Sequence, residues 1–370
     1  MRRPLLLLVL AALPGAAVAQ SSQFGVRGLG LPLRPLSART LGTAGAFGLF
    51  DPEASLNPAS LGPVATVTAV FTGVQEIRHA ENPAGTASLR DARFPQIGVA
   101  GPLRRFPLVL GVSYSGYSNR DFTLATADTL DIRGILVPVH DTLASRGGIS
   151  DLRFAGAYRL HQGWVLGAGI HVLTGSNRVE FRRSFADPGY EPVRQLSELS
   201  YAGVGVSLGA TRQLGSKLTV AALARTDGHV GLDRDSARVA RVDLPYTLGL
   251  GLRAGLVPRL DLAGHAIFRT WSGANSDLLE QGGTGASNTF EVAGGGEYTT
   301  DPRRPYRRPI RFGARFATLP FPVVEGGQPR EFAVAIGTGT RFAQQRGGVD
   351  LALEHVWRTE GEFKERAFLM

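Results

Sequence analysis

The chain has no cysteine, and that absence excludes a disulfide framework and a lipid-modified N-terminal Cys. It also lacks a long apolar run. Charges or glycines interrupt every later hydrophobic stretch well before the roughly 20 residues a membrane-spanning helix needs. Only the first residues break the pattern. Arg2 and Arg3 form a short positive region, Leu5 to Leu10 and the alanines after them an apolar one, and Ala17-Val18-Ala19 a small-x-small cleavage site before Gln20. That is the layout of a secretory signal peptide, and the run is too short to be an anchor. The chain is expected to be exported without being a helical membrane protein.

What is abundant is glycine, 48 of 370 residues beside 22 prolines and 43% hydrophobic residues. Such a chain can bury a large core, but interior glycines disfavour long helices. Lys+Arg number 40 and Asp+Glu 31, a formal charge of +9. A basic balance of this kind suits nucleic acid in a cytosolic protein, but export argues against nucleic acid. A basic lumen, or basic loops facing anionic lipid headgroups, fits an exported chain.

After residue 63 the sequence alternates with a period of two. Tyr246, Leu248, Leu250, Leu252, Ala254 and Leu256 share one face, with Thr247, Gly249, Gly251, Arg253 and Gly255 on the other. This is a strand with one apolar and one polar side. Leu152, Phe154, Tyr158 and Leu160 likewise oppose Asp151, Arg153 and Arg159, and Ile310, Phe312 and Phe316 oppose Arg311 and Arg315. About 14 such segments follow one another, the first near 63–77 and the last near 362–370, in the size range of outer-membrane barrels. Their connections alternate between tight turns (103–105, 160–163, 214–217, 256–259, 344–347) and long polar links (118–147, 176–196, 227–243, 272–287). Outer-membrane barrels have short periplasmic turns and long external loops. The fold class expected is therefore all-β, a transmembrane antiparallel up-and-down barrel. Trp164, Tyr158, Trp271, Trp357 and Tyr246 fall near strand ends, where interfacial girdles belong. Pro95, inside the second strand, is a candidate kink or bulge. The basic cluster 301–309 reads as a longer periplasmic turn.

Residues 20–61 do not alternate. They contain Ser37-Ala38-Arg39-Thr40-Leu41-Gly42-Thr43-Ala44-Gly45-Ala46-Phe47 and then Asp51-Pro52-Glu53-Ala54-Ser55-Leu56-Asn57-Pro58-Ala59. Small residues allow close backbone packing, and Asn-Pro favours a turn or cap. A segment like this can sit inside the barrel as a plug. The expected organisation is a signal peptide over 1–19, a plug or hatch over 20–62 and a barrel over 63–370.

This stretch resembles the FadL/TodX superfamily of outer-membrane barrels, which includes the PorV-like proteins. The residues that match its motif are Ala38-Arg39, Gly42, Gly45-Ala46, Asp51 and Asn57-Pro58-Ala59. Thr43 stands where Met is usual, Ala44 where Gly is usual, and Leu56 where an aromatic often precedes the Asn. The resemblance implies a barrel of 14 strands occluded by an N-terminal hatch. In the FadL branch, hydrophobic compounds are captured outside, pass the hatch and leave through the wall. In the PorV branch, a similar barrel serves protein secretion and surface attachment. Chains of this kind commonly end on an aromatic that the outer-membrane assembly machinery reads. Here the end is Phe368-Leu369-Met370, so Phe368 is expected to substitute or the chain to be truncated, with inefficient assembly.

Enzyme chemistry finds little support. The histidines have no metal-ligand spacing, His140-Asp141 is half of a dyad in a polar link, and Asp233-Arg234-Asp235 lacks the spaced oxygens of a calcium loop. Gly249, Gly251 and Gly255 lie on one strand face, so their likeness to a dinucleotide loop is superficial. The charges of the polar face are the chemistry on offer. Arg facing lipid costs about 2–4 kcal/mol at midplane, so Arg153, Arg159, Arg225, Arg253, Arg269, Arg311 and Arg315 are expected in the lumen, with Asp151, Asp261, Asp350 and Glu354. They pair with one another or form a path for a carboxylate, which Arg binds in bidentate fashion. The leading expectation is passive uptake of long-chain fatty acids or other hydrophobic compounds. Arg153, Arg253, Arg269 and Arg315 would orient the acid group, and Phe47, Leu49, Phe50 and Phe122 would capture the apolar part. No metal or energy cofactor is implied. The alternative is a PorV-like component with a secreted protein as partner.

Overall fold

The computed structural model describes residues 22–83, 85–234, 237–280, 283–301, 308–343 and 346–370. The expected signal peptide lies outside these residues, as do most of the basic cluster at 302–307 and Asp235. Fourteen antiparallel strands close into a barrel. They are β1 (Thr68–Asn82), β2 (Gly85–Pro102), β3 (Leu108–Asn119), β4 (Ile135–Arg159), β5 (Trp164–Phe185), β6 (Val193–Leu214) and β7 (Leu218–Thr226). The second half comprises β8 (Tyr246–Val257), β9 (Leu260–Arg269), β10 (Thr289–Tyr298), β11 (Ile310–Thr318), β12 (Arg330–Phe342), β13 (Gly347–Glu360) and β14 (Phe363–Leu369). Each pairs with its chain neighbour, and β14 closes the circle on β1 through Lys364 opposite Glu81 down to Leu369 opposite Glu76.

The two-residue period sorts the wall as expected. Leu248, Leu250 and Leu252 point outward and stay exposed, while Thr247 points inward and is buried. Ile310, Phe312 and Phe316 are exposed, whereas Arg311 and Arg315 are buried. An outward apolar face and a polar, charged interior reverse the arrangement of a water-soluble barrel, and match a wall facing lipid.

The long links differ from expectation. Most of 118–147, 176–196 and 227–243 is strand rather than loop. β4, β5 and β6 run for 25, 22 and 22 residues. Strand Phe122–Ile132 pairs with the first half of β4, and the hairpin His229–Arg234 with Ala237–Asp243 hangs on β6. Backbone pairing continues beyond the apolar band because hydrogen bonding, not lipid contact, defines a strand. The link 272–287 carries a short helix, Asn275–Glu280.

The aromatic expectation holds in part. Tyr158 and Tyr246 are exposed outward, Arg212 lies 4.9 Å over the Trp164 ring, and Trp357 stacks on Phe332 at 5.7 Å. Trp271 is the correction. It is 3% exposed and meets Phe321 edge-on at 5.1 Å, inside the long-loop end with Leu29, Tyr201 and Leu244. The chain turns inward after β9, so a tryptophan next to a loop becomes core.

At Pro95 the ladder between β1 and β2 shifts register. Thr72 faces Gln96, Val74 faces Arg93, and Phe94-Pro95 is left opposite Gly73 alone. Proline has no N–H to offer, so the extra residue is accommodated as a bulge.

Candidate functional site

The N-terminal segment lies inside the barrel, and backbone accommodates it. A side chain at Gly313 would overlap the Thr43 carbonyl, one at Gly209 the Asn57 side chain, and one at Gly167 the backbone of Pro58-Ala59. Gly42 and Gly337 meet backbone to backbone, and Phe50 lies over Gly251. The segment thus touches β5, β6, β8, β11 and β12 through glycines that replace the larger inward residues of other rungs. This close approach is what glycine permits on a strand.

The motif residues each hold one part of this fit. Ser37 and Thr40 donate to Asp51 Oδ2 at 2.8 and 2.6 Å, closing the stretch between the short helix Ala38–Leu41 and Asp51 into a loop. Asn57 caps the turn Pro58–Leu61 by accepting from the Ala59 N–H at 3.0 Å, and its amide donates to the Leu49 carbonyl at 3.0 Å. Pro58 occupies the first position of that turn, where a missing N–H costs nothing. Gly45 adopts φ +95°, which only glycine takes readily. Arg39 reaches the wall at Glu297, 3.1 Å away, and Glu297 also binds Arg311 at 2.7 Å. Burial opposes the charge on Arg39, but Asp51 and Glu297 outweigh it and hold the guanidinium above its ordinary pKa. Glu53 goes the other way. Burial, with Asp51 and Asp350 nearby, pushes its carboxyl up to about 7 against the pull of Arg341, 3.5 Å away, and Arg39.

The predicted arginines are inside the barrel, and the structure does not gather them into one site. Arg269 and Arg315 line a cavity of about 130 Å³ between residues 31–35 and the wall toward the long-loop end. Arg269 pairs there with Glu291 at 3.2 Å, and Arg315 with Glu331 and Glu354. Arg34 from the N-terminal segment also grips Glu354, at 2.9 Å. Arg253 sits at the short-turn end, paired with Asp261 at 2.7 Å and 5.7 Å from the Phe47 ring centre. With Phe50 on the far side, Arg253 lines a second cavity of about 340 Å³. Phe47, Leu49 and Phe50 pack against Ala221, Leu223, Ala263, Ile267 and Ala293. They anchor the segment to the wall, and Phe122 is buried at the base of its hairpin.

Arg153 differs from the other three. It is 4% exposed, has no carboxylate within ion-pair distance, and its Nε and Nη1 have no partner among the described residues. Asp151, its neighbour on the same face, is occupied by Arg225 at 2.9 Å and His171 at 2.8 Å. Arg153 lines a cavity of about 230 Å³ between the N-terminal segment and β1–β3. Ser113 Oγ and Gln96 Oε1, on the same cavity, are also unpartnered. The rest of the lining is largely apolar, including Leu61, Val64 and Val70, with the Glu53 carboxyl, Ser55 and Thr68 as its other polar members. Gln96 is the residue that follows Pro95, so the cavity abuts the bulge in the wall.

No protein-family model matches the chain, and no curated protein matches it by sequence. Solved structures do. A FadL homologue of Pseudomonas aeruginosa aligns over 92% of this chain and 98% of its own, at 14% identity and a TM-score of 0.61. The toluene transporter TodX of P. putida aligns over 91% and 97%, at 13% identity and 0.58. The CymD monoaromatic hydrocarbon channel aligns over 91% and 95%, at 16% identity and 0.55. The fold is that of the FadL and TodX outer-membrane barrels.

Within this FadL-type barrel, sequence reasoning missed one arrangement. His171 Nε2 lies 2.9 Å from Ser207 Oγ while Nδ1 faces Asp151, the order of a nucleophile, base and acid. Ser207 is 1% exposed beside Gly169 and Gly209, the latter covered by Asn57. With its hydroxyl sealed from substrate, the row acts as a hydrogen-bonded brace across β4, β5 and β6. Its members were visible as inward residues, but only register puts them side by side.

Proposed function

We propose that this chain is a passive outer-membrane channel for hydrophobic compounds, exported by the signal peptide at its start. Its long-loop end faces outward, and its N-terminal segment is the hatch. The arrangement around Arg153 carries the reading: a buried cation with no ion pair among the described residues, in a largely apolar cavity that Glu53 also lines, between the hatch and the bulged wall. A long-chain fatty acid meets both demands, with its carboxylate on Arg153 and Ser113 and its chain along Leu61, Val64 and Val70. The Pro95 bulge supplies a place for lateral exit. That structurally similar proteins are a FadL homologue and channels for toluene or monoaromatic hydrocarbons supports an apolar cargo.

Arg153→Gln should weaken binding of a long-chain fatty acid by about tenfold or more, the value of a charge-assisted hydrogen bond. Arg253→Ala, which removes an already paired cation, should change it little. Isothermal titration on the folded protein in mild detergent checks both, and an unchanged affinity in Arg153→Gln sinks the acid-binding reading. Mass spectrometry of protein extracted from native membranes tests the role itself. Retained apolar molecules support uptake, whereas a stoichiometric exported protein without bound lipid favours the PorV-like secretion reading.

A further inference from the structure

The outer wall of β4–β6 carries a charge pattern that the channel does not use. On the outward face of β5, Leu166, Ile170 and Val172 belong to the apolar band and are followed by Thr174, Ser176, Arg178, Glu180 and Arg182. The register places Arg146 of β4 directly opposite Arg178, and Arg194 of β6 directly opposite Arg182. Like charges facing each other across strands are destabilising. The upper pair is compensated, because Glu180 lies 3.0 Å from Arg182 and 2.8 Å from Arg194. The lower pair is not. No ion pair involves Arg146 or Arg178 among the described residues, although Glu198 stands opposite Arg178 on β6. The two arginines border a surface hollow of about 340 Å³ that Ala144 and Leu196 also line, together with Ser176, the Glu180–Arg194 pair and Glu198.

The height of this pair is informative. From Trp164, at the short-turn end, to Thr174 a tilted strand climbs about 25 Å, the thickness of an outer-membrane apolar band. Arg178 stands about 10 Å higher by the same rise. Arginine stems reach down along the wall while their heads stay in the polar layer. Two guanidinium forks with no ion pair among the described residues, facing lipid at headgroup height, suit a phosphate monoester, which accepts bidentate hydrogen bonds from both, with Glu198 the nearest competing carboxylate across the ladder.

We propose that Arg146 and Arg178 form a docking site for the phosphate of an outer-leaflet glycolipid, with the Ala144–Leu196 hollow receiving its adjoining sugar or acyl portion. The site rests on the outer-membrane placement given above and is independent of what crosses the lumen. Native mass spectrometry of the full folded protein in detergent tests it, with bis-phosphorylated lipid A as probe and the same lipid dephosphorylated as control. The wild type should retain the phosphorylated form about tenfold or more strongly than the dephosphorylated one, and the Arg146→Ser/Arg178→Ser variant should lose that preference. Millimolar inorganic phosphate should leave the complex intact. Equal retention of the two lipids by the wild type, which requires no variant to fold, overturns the proposal, as does an undiminished preference in the double variant. Displacement by inorganic phosphate would make this a free-anion site and overturn it too. No retention of either lipid overturns the proposal too, whereas failure of the membrane placement would look different, as folded protein recovered outside the outer-membrane fraction.

Discussion

The N-terminal segment, proposed above as the hatch, and the wall are built on opposite rules. The outward face of the wall repeats one instruction, apolar toward lipid, and accepts residues that obey it. The hatch has no period, and each of its contacts is particular: a carbonyl over Gly313, an amide over Gly209, Arg39 on Glu297, Arg34 on Glu354. A wall needs only a pattern because lipid is uniform. A segment inside it must fit one irregular cast.

The comparison can be broken from either side. The largest effect should come from the wall. Leu250→Arg places a cation on the outward face and should cost about 2–4 kcal/mol of barrel stability if the residue lies near midplane. Urea-induced unfolding in lipid vesicles measures this, and a loss below the noise would remove Leu250 from the lipid face. Next comes the seam. Gly209→Val drives a side chain into Asn57, an overpacking of about 1–3 kcal/mol that the hatch can escape by leaving its seat. Conductance across a planar bilayer should rise while heat-modifiable migration is kept. Unchanged conductance would mean that the hatch does not occlude the channel.

The smallest effect is a pH dependence confined to the hatch. The Glu53 carboxyl is raised in the folded state from 4.5 to about 7, so its neutral form is favoured there. That contribution to hatch docking is fully present below about 4.5 and is lost as the pH rises through about 7. Asp51 and Asp350 push the same way, Arg341 and Arg39 against it. Amide exchange across residues 51–56 should therefore be slower at acidic than at alkaline pH after correction for intrinsic rates, and Glu53→Gln should abolish the difference. Faster corrected exchange in acid would reverse the assignment.

The same contrast explains what was legible in the sequence. Strand order, inward and outward faces and the turns at 103–105, 160–163, 214–217 and 256–259 follow from a period of two and appear near where expected, whereas the first two strands run on through the expected 78–92 link to Asn82 and from Gly85. The extensions of β4, β5 and β6 were hidden because, beyond the apolar band, outward residues such as Arg178 and Arg182 no longer contrast with inward ones. Trp271 was misread because proximity to a loop does not say which way the chain turns next. The Arg39, Gly42 and Asn57 motif set the N-terminal segment apart from the wall, but its wall partners Glu297, Gly337 and Gly209 lie far along the chain. Arg153 read like any lumenal arginine. Only the register that gives Asp151 to Arg225 and His171 leaves it unmatched.

The lumenal glycines also carry a consequence for change over generations. Gly167, Gly209, Gly313 and Gly337 form a negative image of the hatch, pressed into the wall one missing side chain at a time. Outward positions are free to drift among apolar residues, but these are coupled to a segment distant in the gene. A new residue in the hatch must find its vacancy already present. Descendants of this chain can thus vary their lipid-facing surface while the N-terminal segment and its glycine seats change together.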